Sequence, residues 1–432
     1  MSVSVATIEK SEVPAGEEVS GRRPISPLAF WTISVLGVIA GGYYLKQVVA
    51  APWLMMHLKD LSVYQIAGDR VHNGTSVYDT PLLGNTRGVW EFVYTPFAAL
   101  LFVPLIALRG DLFTYVGGFG NVAMLAASAF AALSLLGYRR DVRLLLVSVP
   151  IAGLLLWCEP VRGTMAFGQI NICLLLLVLA DMALPDSSRW KGVLTGIAAG
   201  IKLTPAFFVI YLLVTGRYRA AGTAIGAFFA TVVVGLAVLP KDSWTFWSGA
   251  FLDPARVGVP QNPQNETLRG VFARVIGVEG VHQLLWLAAA VAFAAICLTL
   301  ARRLSFTGHE LPAVVLCGLT STAVSPFSWI HHWVWLAPLL LYLTHIALHH
   351  KDIATMTGWL ITFVVASGGV LAFYDPTLVN ILDYPLHGYL GVTLHYAYLW
   401  LTLALFAAAT LYLRRPEPPL TAQPKPLAAS HK

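Results

Sequence analysis

The sequence predicts an all-α integral membrane protein in which one domain, over residues 28–413, crosses the bilayer many times. Hydrophobic residues make up 57% of its 432 residues, and charged residues make up only 12%. Apolar runs recur from end to end with lengths close to the roughly 20 residues that span a bilayer as a helix. These runs predict about 11 to 13 transmembrane helices, some of them broken or re-entrant.

Short basic clusters between the apolar runs predict the orientation of the spans. Clusters such as Arg139 with Arg140, or Arg302 with Arg303, are expected in the cytoplasm, where arginine and lysine are enriched. Orientation thus explains the net charge of +6, and no nucleic acid is expected as a partner. Outside loops are then expected at about 51–93, 158–170, 240–282, 325–333 and 375–393.

The two ends of the chain are predicted to be cytoplasmic and disordered. Residues 1–27 contain several glutamates and then Arg22 and Arg23 before the first apolar run, a pattern that differs from a cleavable signal peptide. Residues 414–432 are rich in proline and alanine.

Two regions break the simple alternation of spans. Between Trp190 and Arg217 both ends carry cytoplasmic signals, which predicts two short helices that meet at Lys202–Pro205 and return. Between Tyr94 and Arg139 the apolar pattern permits two spans, whereas the charges favour an odd number. Both alternatives remain open there.

His331 and His332 lie between two apolar runs, within Ser325–Trp333. Imidazole can donate, accept or change charge near neutral pH, and polar side chains at membrane depth usually line a pathway or pocket. The pair is therefore a candidate site. The alternative is an interfacial anchor, in which Trp329, Trp333 and Trp335 form an aromatic belt around solvated histidines.

Asp60 follows the first apolar run, at the start of the first long outside loop. A carboxylate at the lip of an apolar cavity can act as a general base toward an incoming hydroxyl group. The alternative for Asp60 is a solvated charge that pairs with Lys59 or a nearby arginine.

Six short motifs support a resemblance that covers most of the chain. In order, they are Asp60-Leu-Ser-Val-Tyr64, Tyr94-Thr-Pro96, Gly168-Gln-Ile-Asn171, Gly196–Pro205 with Lys202, Asn265-Glu-Thr-Leu-Arg-Gly270 and Ser325–Trp333. Together they resemble glycosyltransferase family 87, the polyprenyl-phosphate-sugar-dependent transferases of actinobacterial cell envelopes, which have the GT-C type of membrane fold. Within that family the chain resembles mycobacterial mannosyltransferases of phosphatidylinositol mannoside and lipomannan synthesis.

The resemblance implies a multi-pass plasma-membrane enzyme that moves mannose from polyprenyl-phosphate-mannose to a phosphatidylinositol-mannoside or lipomannan acceptor. It also implies an α-(1→2) linkage formed on the outer face of the membrane. A β-linked donor and an α-linked product require inversion, which needs a base beside the acceptor and charge stabilisation beside the leaving phosphate. Asp60 matches the family's first-loop aspartate and is assigned as that base. His331 and His332 match its histidine pair, and which of them acts is open.

Further polar residues are candidates for the remaining parts of such a site. Lys202, Arg269 and Arg274 are candidates to bind the leaving phosphate, because it departs with a negative charge. Gln169 and Asn171 either contact sugar hydroxyls or cap a helix start. The outside layer adds candidate sugar or acceptor contacts in Glu91, Tyr94 and the aromatic face of Trp329.

Neither a metal nor another cofactor is expected. The chain has no Asp-x-Asp motif to hold a divalent ion, and lysine or arginine can neutralise the charge of a lipid monophosphate. The expected partners are the lipid-linked donor, the glycolipid acceptor and membrane lipids, and the oligomeric state is open. Decaprenyl-phosphoarabinose is a rival donor. A lipid or small-molecule transporter is the alternative from another class, although the internal repeat typical of transporters is not evident.

Overall fold

A computed structural model describes residues 22–85, 88–253, 256–368 and 396–414 of the chain. The predictions for residues 1–21, for the loop at about 375–393 and for the tail from residue 415 lie outside the described residues. The α-helices are α1 (Pro27–Ala50), α2 (Pro52–Met55), α3 (Lys59–His72), α4 (Pro96–Phe102), α5 (Gly110–Leu135), α6 (Val142–Leu155), α7 (Glu159–Phe167), α8 (Asn171–Met182), α9 (Val193–Ile201), α10 (Phe207–Val214), α11 (Tyr218–Val238), α12 (Pro240–Ser248), α13 (Leu268–Val275), α14 (Val281–Phe306), α15 (Glu310–Val324), α16 (Leu336–His350), α17 (Ile353–Ala366) and α18 (Ala397–Leu413). Strands β1 (Leu83–Asn85) and β2 (Gly88–Trp90) form an antiparallel hairpin.

The predicted all-α membrane class is confirmed. Helices α1, α5, α11 and α14 are each long and apolar enough to cross a bilayer. They expose large hydrophobic side chains, with Leu28 78%, Val233 62% and Val291 68% exposed, as expected of surfaces that contact lipid. Shorter apolar helices include α8, α15, α17 and α18. The total of about 11 to 13 spans stays a prediction.

The region between Tyr94 and Arg139, left open by the sequence, contains one long helix and one short one. Helix α5 is a candidate span, whereas α4 and the following 3-10 helix Val103–Ala107 form a short apolar segment. A second irregular segment follows, because α6 and α7 meet at a bend of 90° and count as a candidate span only when taken together.

Local sequence signals explain where several of these helices begin. Ser26 precedes Pro27 at the start of α1, and its hydroxyl accepts a hydrogen bond from Ala29 N at 3.2 Å. Thr95 precedes Pro96 at the start of α4 in the same way, with Ala98 N donating at 3.2 Å. A capping hydroxyl followed by proline satisfies the first free amides and presets the first helical residue.

Helices α1 and α6 pack through glycines. A Cβ atom added to Gly153 of α6 would lie 2.4 Å from Gly37 O, and one added to Gly41 would lie 3.4 Å from Gly153 Cα. Gly37 and Gly41 are four residues apart and share one face of α1, the small-xxx-small arrangement that lets helices in membranes approach closely. The absence of side chains here brings the two backbones into contact.

Replacing Gly153 with leucine is expected to destabilise the protein by about 1 to 3 kcal/mol, because the added side chain must displace α1. The measurement is the thermal unfolding midpoint of the purified protein in detergent. Gly42→Leu is the matched control, because a Cβ atom added at Gly42 meets nothing within 4 Å. Equal midpoints for the two variants would contradict this account of the α1–α6 contact.

The predicted helix break at Lys202 is present. Helix α9 ends at Ile201, Lys202 adopts an extended conformation with φ −144° and ψ 134°, and the 3-10 helix Thr204–Ala206 leads into α10. Thr95 fixes the end of α9, since its hydroxyl donates to Gly200 O and its amide donates to Ile201 O at 3.5 Å. The Tyr94-Thr-Pro96 motif therefore positions Lys202.

The two long loops predicted on the outside contact each other. Ser76 Oγ donates to Asp242 Oδ1 at 2.5 Å, and Lys241 Nζ lies 2.9 Å from Asp79 Oδ2. Both loops therefore lie on the same side of the helices. Within the first loop, Asp60 is the second residue of α3.

Candidate active site

The start of α3 is fixed by a main-chain contact with the end of α7. Leu58 precedes α3 with a positive φ of 53°, and its amide donates to Ala166 O at 2.8 Å. Gly168 then ends α7 with a φ of 68°, where a Cβ atom would lie 2.7 Å from Leu61 Cβ. Glycine tolerates both this conformation and this close approach. The turn places Gln169 against Asp60.

Asp60 is only 9% exposed, and Gln169 Nε2 donates to its Oδ2 atom at 2.5 Å. Burial raises the pKa of Asp60 to about 6, while the hydrogen bond from Gln169 and the positive charge of Lys202 act in the opposite direction. A carboxylate with this pKa can accept a proton near neutral pH. This environment is at odds with the alternative of a solvated surface charge.

The carboxamide of Gln169 also contacts two buried tyrosines. Its Oε1 atom accepts from Tyr64 at 2.8 Å and from Tyr94 at 3.0 Å, and the two hydroxyl oxygens lie 2.7 Å apart. Tyr64 was not among the predicted site residues. Its position four residues after Asp60 was the available signal, because residues i and i+4 share one helix face.

Asn171 and Lys202 extend this network toward the histidine pair. Lys202 Nζ donates to Asn171 Oδ1 at 3.2 Å and lies 3.0 Å from His332 Nε2. The ammonium group also lies 5.5 Å from the centre of the Tyr94 ring, a favourable cation–π distance. Among the residues that the structure describes, no carboxylate forms an ion pair with Lys202.

The two histidines have different surroundings. His332 contacts Lys202 through its ring, whereas His331 contributes its main-chain oxygen, which accepts from Asn171 at 3.0 Å and Thr164 at 3.3 Å. Burial and the charge of Lys202 lower the pKa of His331 to about 3 and that of His332 well below its usual range. Both imidazoles are therefore neutral at pH 7, and His331 is 4% exposed. This burial is at odds with a solvated interfacial anchor.

The helix-cap alternative for Gln169 and Asn171 is wrong. Ile170 is the residue that precedes α8, and no side chain caps this helix start. The side chain of Asn171 instead donates to His331 O, and that of Gln169 donates to Asp60.

Four predicted site residues form no hydrogen bond or ion pair with Asp60 or Lys202 in the described ranges. Arg274 donates to Asn262 O, Asn265 O and the hydroxyl of Tyr396, so its guanidinium holds its own loop. The remaining three are Arg269, which stacks on Trp286 at 5.1 Å; Glu91, which pairs with Arg256 at 2.8 Å; and Trp329, which stacks on the His331 ring at 6.4 Å.

The cluster combines two kinds of chemistry. Asp60 supplies a carboxylate that can accept a proton, and Lys202 supplies a positive charge that can stabilise an anion. Neutral carboxamides lie between them. Such an arrangement suits the deprotonation of a hydroxyl group together with the departure of an anionic group. Over the described parts of the chain, no three His, Cys, Asp or Glu side chains group as metal ligands, and metal independence stays a prediction.

Comparison with known proteins gives consistent matches. The model of glycosyltransferase family 87 matches residues 92–326, more than half of the chain. A polyprenol-phosphate-mannose-dependent alpha-(1-2)-phosphatidylinositol pentamannoside mannosyltransferase of Mycolicibacterium smegmatis is 29% identical over 383 residues, covering 88% of this chain and 89% of that protein. A polyprenol-phosphate-mannose-dependent alpha-(1-2)-phosphatidylinositol mannoside mannosyltransferase of Mycobacterium tuberculosis is 29% identical over 312 residues, covering 68% and 72%. No solved structure matches.

Proposed function

The chain belongs to glycosyltransferase family 87, and from this premise we propose that it is an inverting mannosyltransferase that uses polyprenyl-phosphate-mannose. The proposed acceptor is a phosphatidylinositol mannoside or lipomannan, and the proposed product linkage is α-(1→2). Two of the similar mycobacterial proteins, named for this donor, this linkage and phosphatidylinositol mannoside acceptors, support the substrate assignment. The observation that carries the mechanism is the hydrogen-bonded network that joins Asp60 to Lys202.

In the proposed reaction Asp60 accepts the proton of the acceptor hydroxyl as its oxygen attacks the anomeric carbon. The bond between that carbon and the phosphate oxygen breaks, and the phosphate leaves with the bonding electron pair. Attack and departure on opposite faces of the sugar invert the anomeric centre without an enzyme nucleophile. The burial and the pKa of about 6 of Asp60 support this role.

Lys202 is the proposed partner of the leaving phosphate. Its two hydrogen-bonding partners, Asn171 and His332, are neutral, so its positive charge is not cancelled by a direct ion pair among the described residues. An ammonium group without a direct counter-charge can bind an anionic group. Arg269 and Arg274 lie on α13, and of the two Arg269 is the further candidate to contact the phosphate, because the guanidinium of Arg274 already donates to Asn262 O, Asn265 O and Tyr396.

We place the reaction on the outer face of the plasma membrane. Near its first turns α5 packs on the Asp60 helix, where a Cβ atom added to Gly117 would lie 2.8 Å from Leu61. The other end of α5 leads to the basic residues Arg139 and Arg140. About 18 residues of helix, or roughly 27 Å, separate Gly117 from the last residue of α5, Leu135. Because basic clusters favour the cytoplasm, this separation supports an extracytoplasmic site.

His332→Ala is expected to lower kcat/KM by about tenfold or more, whereas His331→Ala should have the smaller effect. The reason is that His332 contacts Lys202 through its ring, while the main-chain oxygen of His331 survives the substitution. Initial transfer rates of both variants, at matched protein amounts, provide the measurement. Equal and mild effects would show that neither histidine ring takes part in the reaction.

The test of the proposed function is transfer of radiolabelled mannose from polyprenyl-phosphomannose to a panel of phosphatidylinositol mannosides by the purified protein. A labelled glycolipid whose formation requires Asp60 would support donor, acceptor and base together. If product formed only with decaprenyl-phosphoarabinose as the donor, arabinose would replace mannose as the transferred sugar in this proposal. Movement of label across liposomes without a new glycosidic bond would favour a transporter and overturn the proposal.

A further inference from the structure

The carboxamides of Gln169 and Asn171 form a directed chain of hydrogen bonds from Lys202 to Asp60. Lys202 Nζ donates to Asn171 Oδ1 at 3.2 Å, Asn171 Nδ2 donates to Gln169 Oε1 at 3.5 Å, and Gln169 Nε2 donates to Asp60 Oδ2 at 2.5 Å. The first contact has a fixed direction, because an ammonium group can only donate. The carboxylate at the other end, when ionised, can only accept.

The orientation of Gln169 follows from the donors around its oxygen. Tyr64 and Tyr94 provide two hydroxyl protons for three close contacts, namely one with each other and one each with Oε1. If one hydroxyl proton is used in the hydrogen bond between the two tyrosines, the other is left to donate to Oε1. If the tyrosines do not bond to each other, both hydroxyls can donate to Oε1. With Oε1 as the acceptor, the amide nitrogen must face Asp60.

The orientation of Asn171 is determined independently. Its Oδ1 atom accepts a hydrogen bond from Lys202, and its Nδ2 atom donates to the main-chain oxygen of His331 at 3.0 Å. A reversed carboxamide would place its nitrogen against the ammonium group and its oxygen against a carbonyl oxygen, which would lose both hydrogen bonds. Asn171 is 5% exposed and Gln169 is 8% exposed, so water cannot readily replace these partners.

We infer that Gln169 is a positioning residue for Asp60, and that Tyr64, Tyr94 and Asn171 hold its amide nitrogen toward the carboxylate. The inference rests on the proposed function, because it assumes that Asp60 is the base. It assigns Gln169 to the carboxylate instead of to a sugar hydroxyl. Tyr64, on the same helix as Asp60, thereby acquires an indirect role in the reaction.

The test compares Gln169→Met with Gln65→Met in the full-length protein. Gln65 is a matched control, because its half-buried amide donates to Leu105 O and Leu108 O, both at 2.8 Å, from the same helix as Asp60. Gln169→Met should lower kcat by about 10- to 100-fold, the equivalent of one lost hydrogen bond to a charged group. The KM values for donor and acceptor should change little.

The pH profile separates positioning from a merely structural role. Loss of the hydrogen bond from Gln169 destabilises the carboxylate of Asp60, so the acidic limb of kcat/KM should move to higher pH. Gln65→Met should leave that limb in place. A raised KM with an unchanged kcat and an unchanged limb would identify Gln169 as a sugar contact and overturn the inference.

The tyrosine hydroxyls provide a second measurement that does not depend on Gln169→Met folding. Tyr64→Phe and Tyr94→Phe should each be mild, because the other hydroxyl still donates to Oε1, whereas the double variant should lose more than the product of the two effects. Additive losses without a shifted limb would overturn the inference. If the wild-type protein transfers no mannose, the proposed function itself fails. If Asp60→Asn keeps near wild-type turnover, Asp60 is not the base, and both outcomes differ from a failure of the inference about Gln169.

Discussion

Replacing Asp60 with asparagine is expected to lower turnover by about 10²- to 10⁴-fold, the contribution typical of a positioned general base. Asparagine matches aspartate in size, and its carbonyl oxygen can still accept the hydrogen bond from Gln169 Nε2. It cannot accept the proton of the acceptor hydroxyl at neutral pH. The packing around α3 should therefore survive while proton transfer is lost. The measurement is kcat at saturating donor and acceptor, together with donor binding and the thermal unfolding midpoint.

The pH dependence of the wild-type enzyme provides the control for this prediction. Burial raises the pKa of Asp60 to about 6. The reactive form is the carboxylate, so kcat/KM should be high above this pH and fall as the pH drops through about 6. Residual activity of Asp60→Asn should lack that limb. A variant with near wild-type turnover, or one that keeps the limb, would remove Asp60 from the mechanism.

Several parts of the site could be predicted from the sequence because charged and polar groups are conspicuous in apolar surroundings. Lys202 interrupts an apolar run, and proline follows it closely, so the helix break could be located. The histidine pair stands out for the same reason. The all-helical class required only composition and run length, since spanning segments must satisfy their own backbone hydrogen bonds.

Other parts depend on contacts between distant residues, which periodicity does not report. Tyr64 contacts Gln169 across 105 positions of the chain, and its sequence neighbours do not distinguish it from an ordinary boundary tyrosine. The guanidinium of Arg274 donates to main-chain carbonyls of the loop before α13. An arginine that binds phosphate would look the same in the sequence. The 90° bend between α6 and α7 likewise depends on packing that the loop prediction at 158–170 did not contain.

Replacing Lys202 with methionine is expected to reduce kcat/KM for the lipid-linked donor by about 10²- to 10³-fold, comparable to the loss of one electrostatic group that stabilises a transition state. Methionine keeps an unbranched chain of similar length but removes the positive charge. The departing phosphate then lacks its proposed counter-charge, and Asn171 and His332 lose their shared donor. Donor titrations and acceptor titrations, carried out separately, provide the measurement.

Lys241→Met is the matched control for this prediction, because Lys241 is a lysine of the second long loop whose side chain is 76% exposed and pairs with Asp79. An exposed ion pair of this kind contributes little, so its loss should leave donor and acceptor kinetics unchanged. Lys202→Arg should recover part of the lost rate if charge is the requirement, although a planar guanidinium cannot reproduce the geometry of an ammonium group. If Lys202→Met weakens acceptor use and leaves donor use intact, the ammonium does not serve the phosphate, and Arg269 on α13 becomes the candidate to stabilise the leaving group.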